Sequence, residues 1–123
     1  MKTKILFIIG LPGSGKTTFI NSIKVSTDMV FDDLKNDELE LVKSLIGHFP
    51  RIIISDVHLI FPKNLEVAME LFPNHELIFF ENNPEACLKN VVRRNDGRTV
   101  ESFIKNFSKF YHPPKDAKKV FDE

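Results

Sequence analysis

The chain has 123 residues, enough for one domain with a real core. Its 17 basic and 17 acidic side chains cancel, which excludes a global basic field for nucleic acid and leaves room only for a local basic groove. Cys87 stands alone, so no intrachain disulfide forms, and its place within a helix makes it more inert than reactive. Phe occurs 12 times, Tyr once and Trp never, mostly at core-like positions, which favours packing over base stacking. No segment approaches the ~20 apolar residues of a membrane span. The N-terminus enters a strand at once, leaving no room for a signal peptide, so a cytoplasmic protein without a membrane partner is expected.

The first strand covers about 3–9, where Ile5 to Ile9 form a continuous apolar run of the kind buried in parallel sheets. A helix of about 16–25 follows, with Phe19, Ile20 and Ile23 at helical spacing. Met29, Val30 and Phe31 make a short second strand that ends at Asp32 and Asp33. Leu39, Val42, Ile46 and Phe49 repeat with a 3.6-residue period and predict a helix of about 37–48, ended by Pro50. Arg51 to Ser55 reads as a central third strand, closed by Asp56. Leu65, Ala68, Met69 and Phe72 mark the next helix, with Asn64 as its cap. Leu77 to Phe80 form the fourth strand. Asn83 and Pro84 supply a cap and a first-turn proline for a helix faced by Leu88, Val91 and Val92 and broken at Asn95-Asp96-Gly97. From Thr99, residues Val100, Phe103, Ile104, Phe107 and Phe110 define an amphipathic helix that Pro113 and Pro114 stop. The Lys-rich end, about 112–123, is expected to be solvated and frayed.

Strands alternating with helices predict an α/β fold with a parallel sheet, helices on both faces and right-handed crossovers. In such sheets ligands gather at the carboxyl ends of the strands. Those ends carry the loop from Gly10, the pair Asp32-Asp33, Asp56, and Glu81-Asn82, so one edge collects acidic and phosphate-binding groups.

The loop is the most specific signal in the chain. Residues 10–17 read Gly-Leu-Pro-Gly-Ser-Gly-Lys-Thr and complete the G-x-x-x-x-G-K-[ST] pattern between a predicted strand and a predicted helix. A triphosphate carries several charges that inward-pointing backbone N–H groups can hold without one counter-ion for each. Gly10, Gly13 and Gly15 permit the necessary backbone angles, and the following helix adds unpaired N–H groups and a positive dipole end. The pattern assigns Lys16 to the β- and γ-phosphates and the Thr17 hydroxyl to Mg²⁺, with Leu11, Pro12, Ser14 and Thr18 completing the nucleotide-binding stretch.

Asp56, at the tip of a buried strand beside such a loop, suits a Mg²⁺ ligand or a substrate contact; capping the next turn is the alternative. Asp32 is positioned to take a proton from an attacking hydroxyl, and Asp33 to meet substrate or cap a helix. Lys35 could contact an acceptor phosphate or simply be solvated. Arg93, Arg94 and Arg98 flank a glycine-containing break, a lid region of about 93–99. Arg98, on the connecting segment, is the candidate for stabilising a transferring phosphoryl group, with Arg94 a candidate on the nucleotide. His48, His58, His75 and His112 show no ligand-like spacing, and none is given a role, although His58 follows closely on Asp56.

These residues resemble the P-loop kinase group, and within it the 5′-polynucleotide kinase domain of bacteriophage type. Gly10–Thr18, Phe31–Lys35, Ile53–Asp56 and Cys87–Arg98 carry the resemblance, which spans residues 3 to about 110. It implies a P-loop NTPase three-layer sandwich with a small, mainly parallel sheet of about four strands in the order 2-3-1-4. It also implies ATP and Mg²⁺ as cofactors, Lys16 and Arg98 gripping ATP, and Asp32 as general base. Lysine at 35 departs from the family's arginine and loses its bidentate grip on an acceptor phosphate. A following phosphatase domain is not expected, and the stretch between the Asp pair and the third strand is short. The expectation is one domain over 1–123 that moves the γ-phosphate of ATP to a hydroxyl, first a polynucleotide 5′ end. A small molecule, nucleoside or nucleotide is the alternative acceptor. A regulatory protein that binds and slowly hydrolyses NTP is the alternative of another class, with the stripe Phe103, Phe107, Phe110 and Tyr111 as a docking surface or, more simply, core.

Overall fold

The computed structural model describes residues 2–32, 34, 38–94 and 100–121. Its elements run β1 Lys4–Ile9, α1 Lys16–Ile23, β2 Asp28–Asp32, α2 Glu38–Leu45, β3 Arg51–Ser55, a 3₁₀ helix Val57–Ile60, α3 Pro62–Leu71, β4 His75–Phe79, α4 Pro84–Arg94 and α5 Glu101–Ser108. The four strands form one parallel sheet in the order β2-β3-β1-β4. This is the expected α/β sandwich and the expected strand order. No helix among the described residues is long and apolar enough to cross a membrane.

β1 and β3 hold the interior of the sheet, and their apolar runs have no solvent-facing side. Ile5, Phe7, Ile9, Ile52 and Ile54 pack with Val42 of α2, Ala68 of α3, Cys87 of α4 and Ile104 of α5. Leu6, Ile8 and Ile53 face the other way and meet Phe19 and Ile20 of α1 together with Phe80. Phe7 is wholly buried, and truncating such a ring to alanine costs about 3–5 kcal/mol. One face therefore carries four helices and the other carries α1. Away from the carboxyl edge, Arg51 clamps the sheet to the start of β2: its Nε and Nη2 donate to Asp28 at 3.0 and 2.5 Å. That guanidinium holds the Asp28 carboxyl below its ordinary range.

Some local expectations change. Asn64 does not cap α3; Phe61 precedes it and Pro62 opens it, while the Asn64 amide donates to the His58 carbonyl across the 3₁₀ turn. The four residues of that turn hold no helical period, so nothing in the sequence marks their 3₁₀ form. Asn83 does cap α4, its side-chain oxygen accepting from Ala86 N at 3.2 Å. The segment expected to fray is placed as far as Phe121. Lys118 bridges Phe80 in parallel register, with Lys118 N donating to the Phe79 carbonyl and Glu81 N to the Lys118 carbonyl. The reason is the open edge of β4, whose unpaired carbonyl and amide accept a further backbone segment. The Lys-rich composition describes the exposed side chains of that segment and says nothing of its backbone.

Candidate active site

β1 runs into the glycine loop at the carboxyl edge, and the loop feeds α1 directly. Gly13 and Gly15 have φ of 80° and 95°, the left-handed region. A Cβ on Gly13 would stand 2.6 Å from the Cys87 carbonyl oxygen, and one on Gly15 would stand 2.7 Å from Cβ of Phe121. Conformation and space thus both demand glycine. Two buried side chains brace this loop. Asn90 of α4, 1% exposed, donates to the Gly13 carbonyl at 2.8 Å and to the Phe121 carbonyl at 2.6 Å. Its position on the stripe with Cys87 and Val91 was the available signal, since a polar side chain on an apolar stripe needs a partner. Tyr111, 2% exposed, donates its hydroxyl to the Phe80 carbonyl and lies 3.3 Å from the Ile9 carbonyl, fixing the strand ends beneath Gly10. Burial pushes its ionisation well up, so it stays a neutral donor.

Lys16 is buried at 7% exposure in the loop it follows. Its Nζ donates to the Gly10 and Leu11 carbonyls at 3.0 and 2.7 Å and reaches the Ser14 hydroxyl at 3.5 Å. Leu11 and Ser14 are buried, while Thr17 and Thr18 are exposed on the first turn of α1. The Thr17 hydroxyl donates to Asp32 Oδ2 at 2.7 Å. Asp32 closes β2 in register with Ser55 of β3. The Ser55 hydroxyl is buried with no hydrogen-bond partner among the described residues.

The residues fit a metal–triphosphate. Left-handed glycines, a lysine amine held at the loop and a hydroxyl–carboxylate pair at its end supply a backbone cradle, a cation and two oxygen ligands. Mg²⁺ keeps several waters and takes one or two protein oxygens, so it does not need a protein cage. Correspondingly, the described residues hold no group of three or more His, Cys, Asp or Glu side chains able to bind a metal ion.

Asp56 takes the capping part, the alternative reading of this residue. It precedes the 3₁₀ helix, where its Oδ1 accepts from His58 N at 3.1 Å and lies 3.0 Å from His58 Nδ1. A cleft of about 270 Å³ opens at the sheet edge. Pro12, Gly13, Gly15, Lys16, Thr17 and Asp32 form its phosphate-loop part, and Arg94 borders it from the end of α4. Val57, His58, Val100, Phe103 and Phe107 make up the rest. The structure thus brings Lys16, Thr17, Asp32 and Arg94 to one cleft, and Asp56 reaches it only through His58. Asp33, Lys35 and Arg98 lie outside the described residues, as do 95–99 of the expected lid.

A parallel 2-3-1-4 sheet with this loop after its first strand defines the P-loop kinase fold. Solved structures agree. A gluconokinase from Sinorhizobium meliloti 1021 superposes with a TM-score of 0.68 at 12% identity, over 95% of this chain and 80% of its own. A chain in the structure of the Pnkp1/Rnl/Hen1 RNA repair complex also gives a TM-score of 0.68, at 15% identity, over 89% of this chain. The present chain spans only 44% of that one. No protein-family model matches the sequence. The chain is 32% identical over 121 residues to "Uncharacterized protein R277" of Acanthamoeba polyphaga mimivirus, covering 90% of this chain and 88% of the relative. It belongs to the family of that viral protein.

Proposed function

We propose that the chain is an ATP-dependent phosphotransferase that moves the γ-phosphate to a hydroxyl, with a polynucleotide 5′-hydroxyl as first acceptor. The observation that carries this is the 2.7 Å contact between Thr17 and Asp32, which puts a carboxylate at the end of the phosphate loop, in the cleft that Lys16 also lines. In this reading the loop amides and Lys16 hold the phosphate tail. Thr17 and Asp32 would hold Mg²⁺, which when bound offsets charge on the phosphate oxygens. Asp32 accepts the proton of the acceptor hydroxyl as its oxygen forms the bond to the γ-phosphorus. The bond to the bridging oxygen breaks, and ADP leaves on the opposite side. Arg94 at the cleft, and Arg98 from the lid segment, neutralise charge on the moving group. Asp56, read from sequence as a metal ligand, is assigned here to setting the His58 ring.

The nucleic-acid acceptor draws support from the motif order Gly10–Thr18, Asp32-Asp33, Asp56, Arg94–Arg98 and from the RNA repair neighbour. The gluconokinase neighbour supports the second reading, a small-molecule acceptor. Incubating the protein with γ-labelled MgATP and a panel of acceptors tests both. Label on a 5′-hydroxyl oligonucleotide supports the first and label on a small molecule the second. Free phosphate alone would mark a hydrolysing regulator and end the kinase proposal.

A further inference from the structure

The part of the cleft away from the phosphate loop has a chemistry that the transfer reaction does not require. Phe107 of α5 lines it, 6.1 Å ring to ring from His58 and 5.8 Å from Phe103. Phe61 supports Phe107 from behind the cleft lining, edge to face at 5.4 Å. Val57 and Val100 complete this part of the lining. Phe103 is 54% exposed, so its ring is not spent on the core. The charged lining residues Lys16, Asp32 and Arg94 come from the loop, the end of β2 and the end of α4 instead. Among the described lining residues here, His58 alone has a polar side chain. Asp56 holds this residue through both its backbone N–H and its Nδ1.

We propose that His58, Phe103 and Phe107 form an acceptor subsite for one flat aromatic ring, so that the hydroxyl phosphorylated belongs to a molecule carrying a nucleobase. This rests on the kinase reading above and narrows its acceptor. Aromatic faces take a base of any sequence by stacking. A polyol or sugar acid instead needs a polar partner for each hydroxyl it buries, and this lining offers a single imidazole. The volume agrees: a cleft of about 270 Å³ has room for a terminal phosphoryl group and one ring system. The side agrees as well. In-line displacement places acceptor and leaving nucleotide on opposite sides of the transferred phosphorus. His58 follows β3, Phe103 and Phe107 reach the cleft from α5, and all three share it with Asp32 at the end of β2. The β4 side of the loop is instead occupied by Asn90 and Phe121.

The experiment compares three acceptors under labelled MgATP: a single-stranded 5′-hydroxyl oligonucleotide, the same strand with its 5′-terminal base removed, and gluconate. Wild type, Phe103→Ala and Phe107→Leu are each assayed, with thermal melts to verify folding. Phe103→Ala removes a half-exposed ring and keeps the test intact if Phe107→Leu fails to fold. The expected result is a base-bearing strand favoured over the abasic one, and variants that raise its KM roughly 5- to 100-fold, the span of one lost stack. The KM for ATP and the transfer to the abasic strand stay unchanged. Equal use of the abasic strand or of gluconate by wild type overturns the proposal. A rise in the KM for ATP alone overturns it too, because the rings then hold the donor's base. No label on any acceptor sinks the kinase reading and this inference with it, whereas label without base preference sinks this inference alone.

Discussion

At the phosphate end of the cleft, the groups that would meet a ligand are backbone amides and three consecutive residues, Gly15, Lys16 and Thr17, seated at the start of one helix. At the aromatic end they are side chains delivered by a 3₁₀ turn and by α5, from segments far apart in the chain. The first end is shaped by conformational necessity, since left-handed glycines allow little else. The second is shaped by packing, and many apolar residues would serve the fold equally well. Conserving a phosphate cradle and varying what lies beside it is the division of labour by which one fold hosts many acceptors.

Four perturbations press on this contrast. The largest effect is expected of Asp32→Asn, which keeps the shape of the contact with Thr17 and removes the proton acceptor. Phosphoryl transfer should fall by about 10²–10⁴-fold, while calorimetric affinity for ATP without Mg²⁺ holds. An unchanged transfer rate would take Asp32 out of the base's role. Lys16→Ala should reduce turnover by about 10²–10³-fold by removing the buried cation, read in the same labelled assay; wild-type turnover would refute its place at the phosphates. Gly13→Ala attacks the cradle through its backbone. It meets both a φ of 80° and a carbonyl oxygen at 2.6 Å. A loss of about 1–3 kcal/mol in denaturant titration is expected, together with weaker nucleotide binding.

The smallest effect lies outside the cleft. Asp28→Asn should cost about 1–2 kcal/mol of stability near neutral pH, with nucleotide binding unchanged. The pH dependence has a definite sign. Because Arg51 lowers the folded carboxyl pKa, the contribution is complete above the ordinary value of 3.8 and fades as pH falls through the lower folded value. The difference between wild type and variant should therefore vanish in acid, and a difference that grew on acidification would contradict the assignment.

Legibility in the sequence followed the same contrast. β1, β3 and the loop between β1 and α1 could be read because their signals are contiguous: unbroken apolar runs and a fixed glycine spacing. The strand-end carboxylates were legible through topology. What could not be read depends on distant partners. Asn90 finds the Gly13 carbonyl, Tyr111 finds Ile9 and Lys118 finds Phe79; the stripe around Asn90 says that it needs a partner, but no local pattern names the partner of any of the three. The partner of Thr17 belongs to this class too: Asp32 and Asp56 both stand at strand ends, and only the fold distinguishes the one its hydroxyl meets. The abundance of phenylalanine suggested core, which holds for Phe7 and Phe80 and fails for Phe103, whose ring borders the cleft.

The docked tail bears on how the protein should be handled. Phe121 N donates to the Ser14 carbonyl, and its ring lies against Phe19 and Phe80. A purification tag or fluorophore joined beyond this residue would start beside the glycine turn and perturb the measurements proposed above. One joined ahead of Lys4 would start at the far edge of the sheet, the six residues of β1 away, or about 20 Å. The amino-terminal side is the one from which to immobilise or label this molecule.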